Sequence, residues 1–200
     1  MQQSLFAEPE SRNTMVMSPC GRYRYWLRRD LTNELIPEEY DDDKPESMTV
    51  AFIMLNPSVA TLEVEDPTSR KVQGFARRWG ATDVVLVNLF ALRSTDPAAL
   101  LSAQDPVGPD NDVHLRRAMT ADRVVVAWGA NTCASRAART KLLPQVRHVE
   151  ALLREAGVTA QALGYTADDQ PIHPLMLPYD QRLVAHHGRS HMARPAPTVG

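Results

Sequence analysis

Cysteine is scarce in this 200-residue chain: Cys20 and Cys133 stand far apart, neither in a C-x-x-C pair. That argues against a disulfide framework, a structural zinc site and a cysteine-ligated iron–sulfur cluster. Long apolar runs are missing too. None approaches the roughly 18 residues that a membrane helix needs, and the opening "MQQSLFAEPESRNTMVMSPC" lacks the charged-then-apolar layout of a signal peptide. Nor does one sign of charge dominate. With 22 Lys and Arg against 24 Asp and Glu the net charge is −2, so any attraction to nucleic acid must come from a local basic patch. The phosphate-cradling loops G-x-x-x-x-G-K-[ST] and G-x-G-x-x-G are absent, as is the G-x-S-x-G nucleophile elbow. Nothing in the flanks of Cys133 marks it as a nucleophile. His114, His148, His186, His187 and His191 are expected on helix surfaces or in the tail, without metal-ligand spacing. The expectation is a cytoplasmic protein with no membrane segment, no metal and no cofactor; its oligomeric state is not legible.

What is present describes one ordinary domain: 44% hydrophobic and 23% charged residues suffice for a real core. The expected boundaries are a flexible N-terminal tail over 1–19, a single α/β domain over 20–185, and a flexible C-terminal tail over 186–200, where "HHGRSHMARPAPTVG" is polar and proline-rich. The acidic "LTNELIPEEYDDDKPES" at 31–47 reads as a solvated loop.

Between these segments two patterns alternate. "RYRYWLRRDL" (22–31) mixes aromatic and charged residues as an exposed or edge strand does. "MTVAFIML" (48–55), "DVVLVNLFAL" (83–92), "DRVVVAWG" (122–129) and "VTAQALGY" (158–165) read as strands, the first an apolar run buried on both faces. In "DPTSRKVQGFARRWG", Asp66 fits a helix N-cap and Pro67 its first turn. Val72, Phe75, Ala76 and Trp79 share one face, and Gly80 ends the helix. Further helices are expected over 108–121 and 144–157. The alternation predicts a three-layer α/β/α fold around a four-stranded, mainly parallel sheet, with an N-terminal edge strand.

In such sheets ligands bind beyond the carboxyl ends of the strands. The first strand ends in Asn56-Pro57-Ser58, the second carries Asn88, the third ends in Trp128-Gly129-Ala130-Asn131, and a polar loop holding His173 follows the fourth. Each has a plainer reading. Asn56 before proline opens turns, Trp128 fits a core, and His173 fits a solvated surface. Asn88, inside an apolar strand, must find partners in loop backbone or in a ligand. Arg70, Lys71, Arg77 and Arg78 on the first helix, with Arg93, are candidate phosphate contacts or simply a solvated face.

"MLNPSVA", "DPTSR", "VNLFALRSTDP", "GPDND", "WG" and "HPLMLP", in that order from about residue 20 to residue 184, resemble a bacterial and phage family known as domain of unknown function 1643. More distantly, the layout resembles the uracil-DNA glycosylase superfamily. In that superfamily a glycine-any-asparagine-proline loop positions the attacking water, and a later His-Pro loop stabilises the departing base. "MLNP" supplies Asn56 and Pro57, with Met54 in place of the glycine, and "HPLML" supplies His173 and Pro174. The resemblance implies that Asn56 and His173 are catalytic and that Asn88 reads the base. Phe90 or Trp128 would stack on the base. No acidic residue occupies the water-activating position, for which Asp66 is the nearest candidate, its helix cap the competing role. Two functions follow as expectations. One is N-glycosylase chemistry on a modified or damaged base in DNA, RNA or a free nucleotide. The other is a non-catalytic nucleobase-binding module that keeps the pocket.

Overall fold

The computed structural model describes residues 12–32 and 47–188. The acidic run at 33–46, residues 1–11 and residues 189–200 lie outside the described residues. Seven strands form one sheet: β1 (Thr14–Met17), β2 (Arg24–Asp30), β3 (Thr49–Met54), β4 (Asp83–Asn88), β5 (Arg123–Val126), β6 (Gln161–Ala162) and β7 (Val184–Ala185). Their spatial order is β1-β2-β4-β3-β5-β6-β7. The middle four, β4, β3, β5 and β6, run parallel; β1, β2 and β7 add antiparallel pairings at the two sides.

Period-two alternation divides β3 between two cores, which is why its sequence is apolar throughout. Val50, Phe52 and Met54 pack with Val72, Phe75 and Ala76 of helix α1 (Pro67–Arg78). Ala51, Ile53 and Leu55 join the opposite core. There they meet Leu115 of α3 (Asn111–Ala118) and Leu142, Val146 and Val149 of α4 (Arg136–Glu155); a single turn, α2 (Ala99–Ser102), adds Leu100. Complete burial of Phe52 and Phe75 contributes roughly 1.5–3 kcal/mol for each ring.

Helix α1 starts as its sequence dictates: Asp66 Oδ1 accepts from Ser69 N at 2.7 Å, and Pro67 occupies the first turn. Four expectations are corrected. The sheet has seven strands rather than four and an edge strand, because short antiparallel strands pair onto both sides of the parallel four. β2 is no exposed or edge strand, because β1, drawn from the segment read as N-terminal tail, pairs along its outer side and leaves most of it buried. Helix α4 does not begin at Pro144 but at Arg136, where Ser135 caps Ala138 N at 3.0 Å, so the proline lies inside the helix. His186 is no tail residue: its ring lies 2.9 Å from the Tyr165 hydroxyl through Nδ1 and edge-on to Trp128.

Candidate functional site

β4 lies on one side of β3 and β5 on the other, so the chain changes direction across the sheet between β3 and β5. Such a switch point leaves a crevice at the carboxyl ends of the strands. A cavity of about 430 Å³ lies there, within the range of small-molecule sites. Two other hollows sit at the opposite, amino-terminal edge of the sheet, one around Asp122 and Arg123, the other around Thr49 and Arg117. Topology favours the first.

Asn56 follows β3 into this cavity, and its amide orientation is fixed. One terminal atom faces two carbonyl oxygens, Ser94 O at 2.8 Å and Pro57 O at 3.1 Å, so that atom is the Nδ2 donor. Oδ1 is therefore the end left to accept a hydrogen from something else. The same contacts anchor the loop after β3 to the loop after β4, where Ser94 N donates to Pro57 O at 2.9 Å.

Asn88, the last residue of β4, sits beside Met54 in the parallel register. It is 2% exposed, it lines the cavity, and its Nδ2 has no partner among the described residues. Its backbone is not at fault: Asn111 Nδ2 donates to both Asn88 O and Leu89 O at 3.0 Å. A buried amide donor without an acceptor costs about 1–3 kcal/mol.

The loops after β5 and β6 close the far wall. Gly129 has φ +77°, a conformation that favours glycine, and a Cβ there would press on His173 Cβ at 3.2 Å, so a larger residue would push the two loops apart. Gly129 N donates to Pro171 O at 2.8 Å. Buried Gln170 adds a clasp, accepting through Oε1 from Trp128 Nε1 at 3.1 Å and from Thr132 Oγ1 at 2.9 Å. His173 Nδ1 accepts from Leu175 N at 3.3 Å, which leaves its proton on Nε2. Burial pushes its pKa below the ordinary 6.5, with Asp66 pulling the other way. The ring is neutral at pH 7.

The cavity thus gathers Asn56, Ser58, Asp66, Asn88, Trp128, Asn131 and His173. Asp66 is 8% exposed and gives Oδ1 to the α1 cap while lining the cavity, so the cap and a site role coexist. Pro57 and Phe90 are not among the lining residues. Pro57 supports the loop through its carbonyl. Phe90 lies in the core on the α4 side, because β4 ends at Asn88 and the alternation breaks there. Trp128 is 1% exposed and its indole nitrogen is taken.

The candidate phosphate contacts on α1 do not reach the cavity. Lys71 Nζ and the Arg78 guanidinium stand 3.8 Å and 3.9 Å from the Tyr179 ring centroid, clasping that ring across the helix. Arg77 donates to Gln73 Oε1 at 3.3 Å, and Arg70 is exposed near Glu65 O. Arg93 lies on an adjoining groove.

The residue that sequence reasoning missed is Arg24. It starts β2, is 3% exposed and lines the cavity. Its Nη1 donates to Ala60 O at 2.7 Å, while its Nε has no partner among the described residues. Burial lowers its pKa to about 10, opposed by Asp66 and reinforced by Arg93 and Arg29. The signal was hidden because a charged residue in "RYRYW" fits an exposed strand equally well. Among the described residues no group of three or more His, Cys, Asp or Glu side chains is arranged to hold a metal.

A family model described as a protein of unknown function, DUF1643, matches residues 24–175. The chain belongs to the DUF1643 family. The match begins at Arg24 and ends just beyond His173, so the DUF1643 segment takes in every group at the cavity named above. No curated protein and no solved structure matches the chain.

Proposed function

We propose that the crevice holds a nucleobase and that this DUF1643 protein hydrolyses the N-glycosidic bond of a modified or damaged base in DNA, RNA or a free nucleotide. The observation that supports this most is the convergence of Asn56 and His173, from loops over a hundred residues apart, on one cavity at the switch point. The resemblance to the uracil-DNA glycosylase superfamily supplies the chemistry. It is a likeness of two loops and their order, and the family match does not extend to it.

In this reading the C1′–N bond breaks with its electron pair leaving on the base, and a water oxygen bonds to C1′. Asn56 Oδ1 accepts one hydrogen of that water and holds its oxygen toward the sugar. Asp66 is the carboxylate available to take the water's proton. His173 donates from Nε2 to a base oxygen as negative charge develops, a donor already aimed by the Leu175 N–H on Nδ1. Asn88 Nδ2 donates to a base carbonyl. The departing base then collects a proton from solvent.

A non-catalytic nucleobase-binding module is the second reading, favoured by the commitment of Asp66 Oδ1 to the helix cap. One experiment separates the two. The protein is incubated with oligonucleotides bearing uracil, hypoxanthine or hydroxymethyluracil and with the matching nucleotides, and free base and abasic sites are measured. Base release that falls at least about a hundredfold in Asn56→Ala and His173→Ala supports the enzyme. Binding without release supports the module. Neither binding nor release on any substrate overturns both.

A further inference from the structure

Deeper along the β2 side of the crevice the polarity changes from amides to cations. Arg24 is buried at the cavity wall with its Nε unpartnered. A groove of about 420 Å³ opens off the cavity, sharing Ser58, Ser94 and Thr95 with it, and is lined further on by Arg22 and Arg93. Arg93 Nε is likewise buried without a hydrogen-bond partner. Arg29, the next cation inward, is neutralised by Glu65 at 2.9 Å. Arg24 and Arg93 have no ion pair among the described residues, and Asp66 is the carboxylate that acts on Arg24 from a distance.

Two neighbouring guanidiniums with open donors beside an amide-lined cavity are a costly arrangement without an anion. Planar guanidinium forks fit phosphate oxygens. We infer that the junction of the cavity and the groove, with Arg24 on the cavity wall and Arg93 on the groove wall, is a phosphate subsite, so that the ligand is a nucleotide carrying a phosphate monoester on its sugar. The source of the phosphate follows from the geometry. A backbone diester in a longer strand needs a basic track for its neighbours, and on α1 Lys71 and Arg78 clasp Tyr179 and Arg77 donates to Gln73, leaving Arg70, which is exposed and outside both hollows. Arg24, almost wholly buried, is placed to meet a terminal group that enters the crevice.

The inference rests on the nucleobase reading, and its test keeps the two apart. Affinities are measured by calorimetry for uridine, inosine, adenosine, cytidine and guanosine, for their 5′-monophosphates, for inorganic phosphate alone, and for a dinucleotide whose only phosphate is a diester. At least one monophosphate is expected to bind about tenfold or more tighter than its nucleoside and than the dinucleotide. That preference is expected to vanish in Arg93→Gln, a part-exposed position where folding is safe, and in Arg24→Gln if that variant folds. Phosphate binding that depends on Arg93, with no preference for any base, leaves the subsite standing and overturns the nucleobase reading. Nucleoside binding with no gain from the monophosphate overturns the subsite alone. Equal binding of monophosphate and dinucleotide overturns the monoester, and no binding of any phosphate compound overturns the inference outright.

Discussion

Asn88 places an amide donor in a cavity wall otherwise built from the ends of apolar strands, and nothing among the described residues accepts from it. Its neighbours Val87 and Leu89 are fully buried, so folding alone would be served by another apolar side chain at that position. The near-isosteric Asn88→Leu is expected to raise stability by about 1 kcal/mol, because it removes an unsatisfied donor, and to abolish nucleobase binding. Urea denaturation and calorimetry on the same sample check both halves. A loss of stability would mean that the amide has a partner in the folded chain. Asn56 differs in kind. Its Nδ2 holds two carbonyls of the β3 and β4 loops, so Asn56→Ala removes an anchor along with the acceptor Oδ1. The Leu175 N–H that occupies His173 Nδ1 holds the ring proton on Nε2.

At the scale of elements, the strands were legible because β3, β4 and β5 are buried on both faces and read as unbroken apolar runs. Helix α1 was legible to the residue, since Asp66, Pro67 and Gly80 are each the residue their cap position requires. Helix α4 was not. Pro144 looks like a first-turn proline, whereas Ser135 nine residues earlier sits among small and basic residues with little apolar period. Ser135→Ala is expected to cost about 1 kcal/mol in thermal unfolding, as loss of a true N-cap does. No effect would place the helix start nearer Pro144. The same limit applied to the site. That Asn56, Asn88 and His173 meet at one cavity could be expected because each ends or follows a strand; Arg24 could not, because its side chain is buried against the loop after β3, where it donates to Ala60 O. The hydrogen bonds of Gln170 were equally hidden, since they join parts of the chain some forty residues apart.

For the molecule as a whole, no helix among the described residues is long and apolar enough to cross a membrane, and stability should depend on pH through buried histidines. Burial holds His186 at a pKa of about 4 and moves His173 in the same direction, while in the unfolded chain each titrates near 6.5. The unfolded chain therefore takes up protons first as pH falls. Stability is complete above about pH 6.5 and declines toward pH 4, the buried Glu150 carboxylate 3.8 Å from His186 Nε2 moderating the loss. Denaturation midpoints measured across that window should fall in the parent protein and fall less steeply in His186→Gln; equal slopes would contradict the assignment. The site itself belongs to a larger pattern, an α/β sheet whose switch point gathers polar groups from four strand ends and one cation from β2. The central claim is that this crevice binds a nucleobase, and Asn88 reports on it directly. Nitrogen-15 NMR of the Asn88 side-chain amide is followed while the uridine, inosine, adenosine, cytidine and guanosine 5′-monophosphates are titrated in. The account predicts that at least one of them shifts the Asn88 Nδ2 resonance saturably as its hydrogens gain an acceptor. A nucleotide that binds while leaving that resonance unmoved, or the absence of any response across the series, would contradict it.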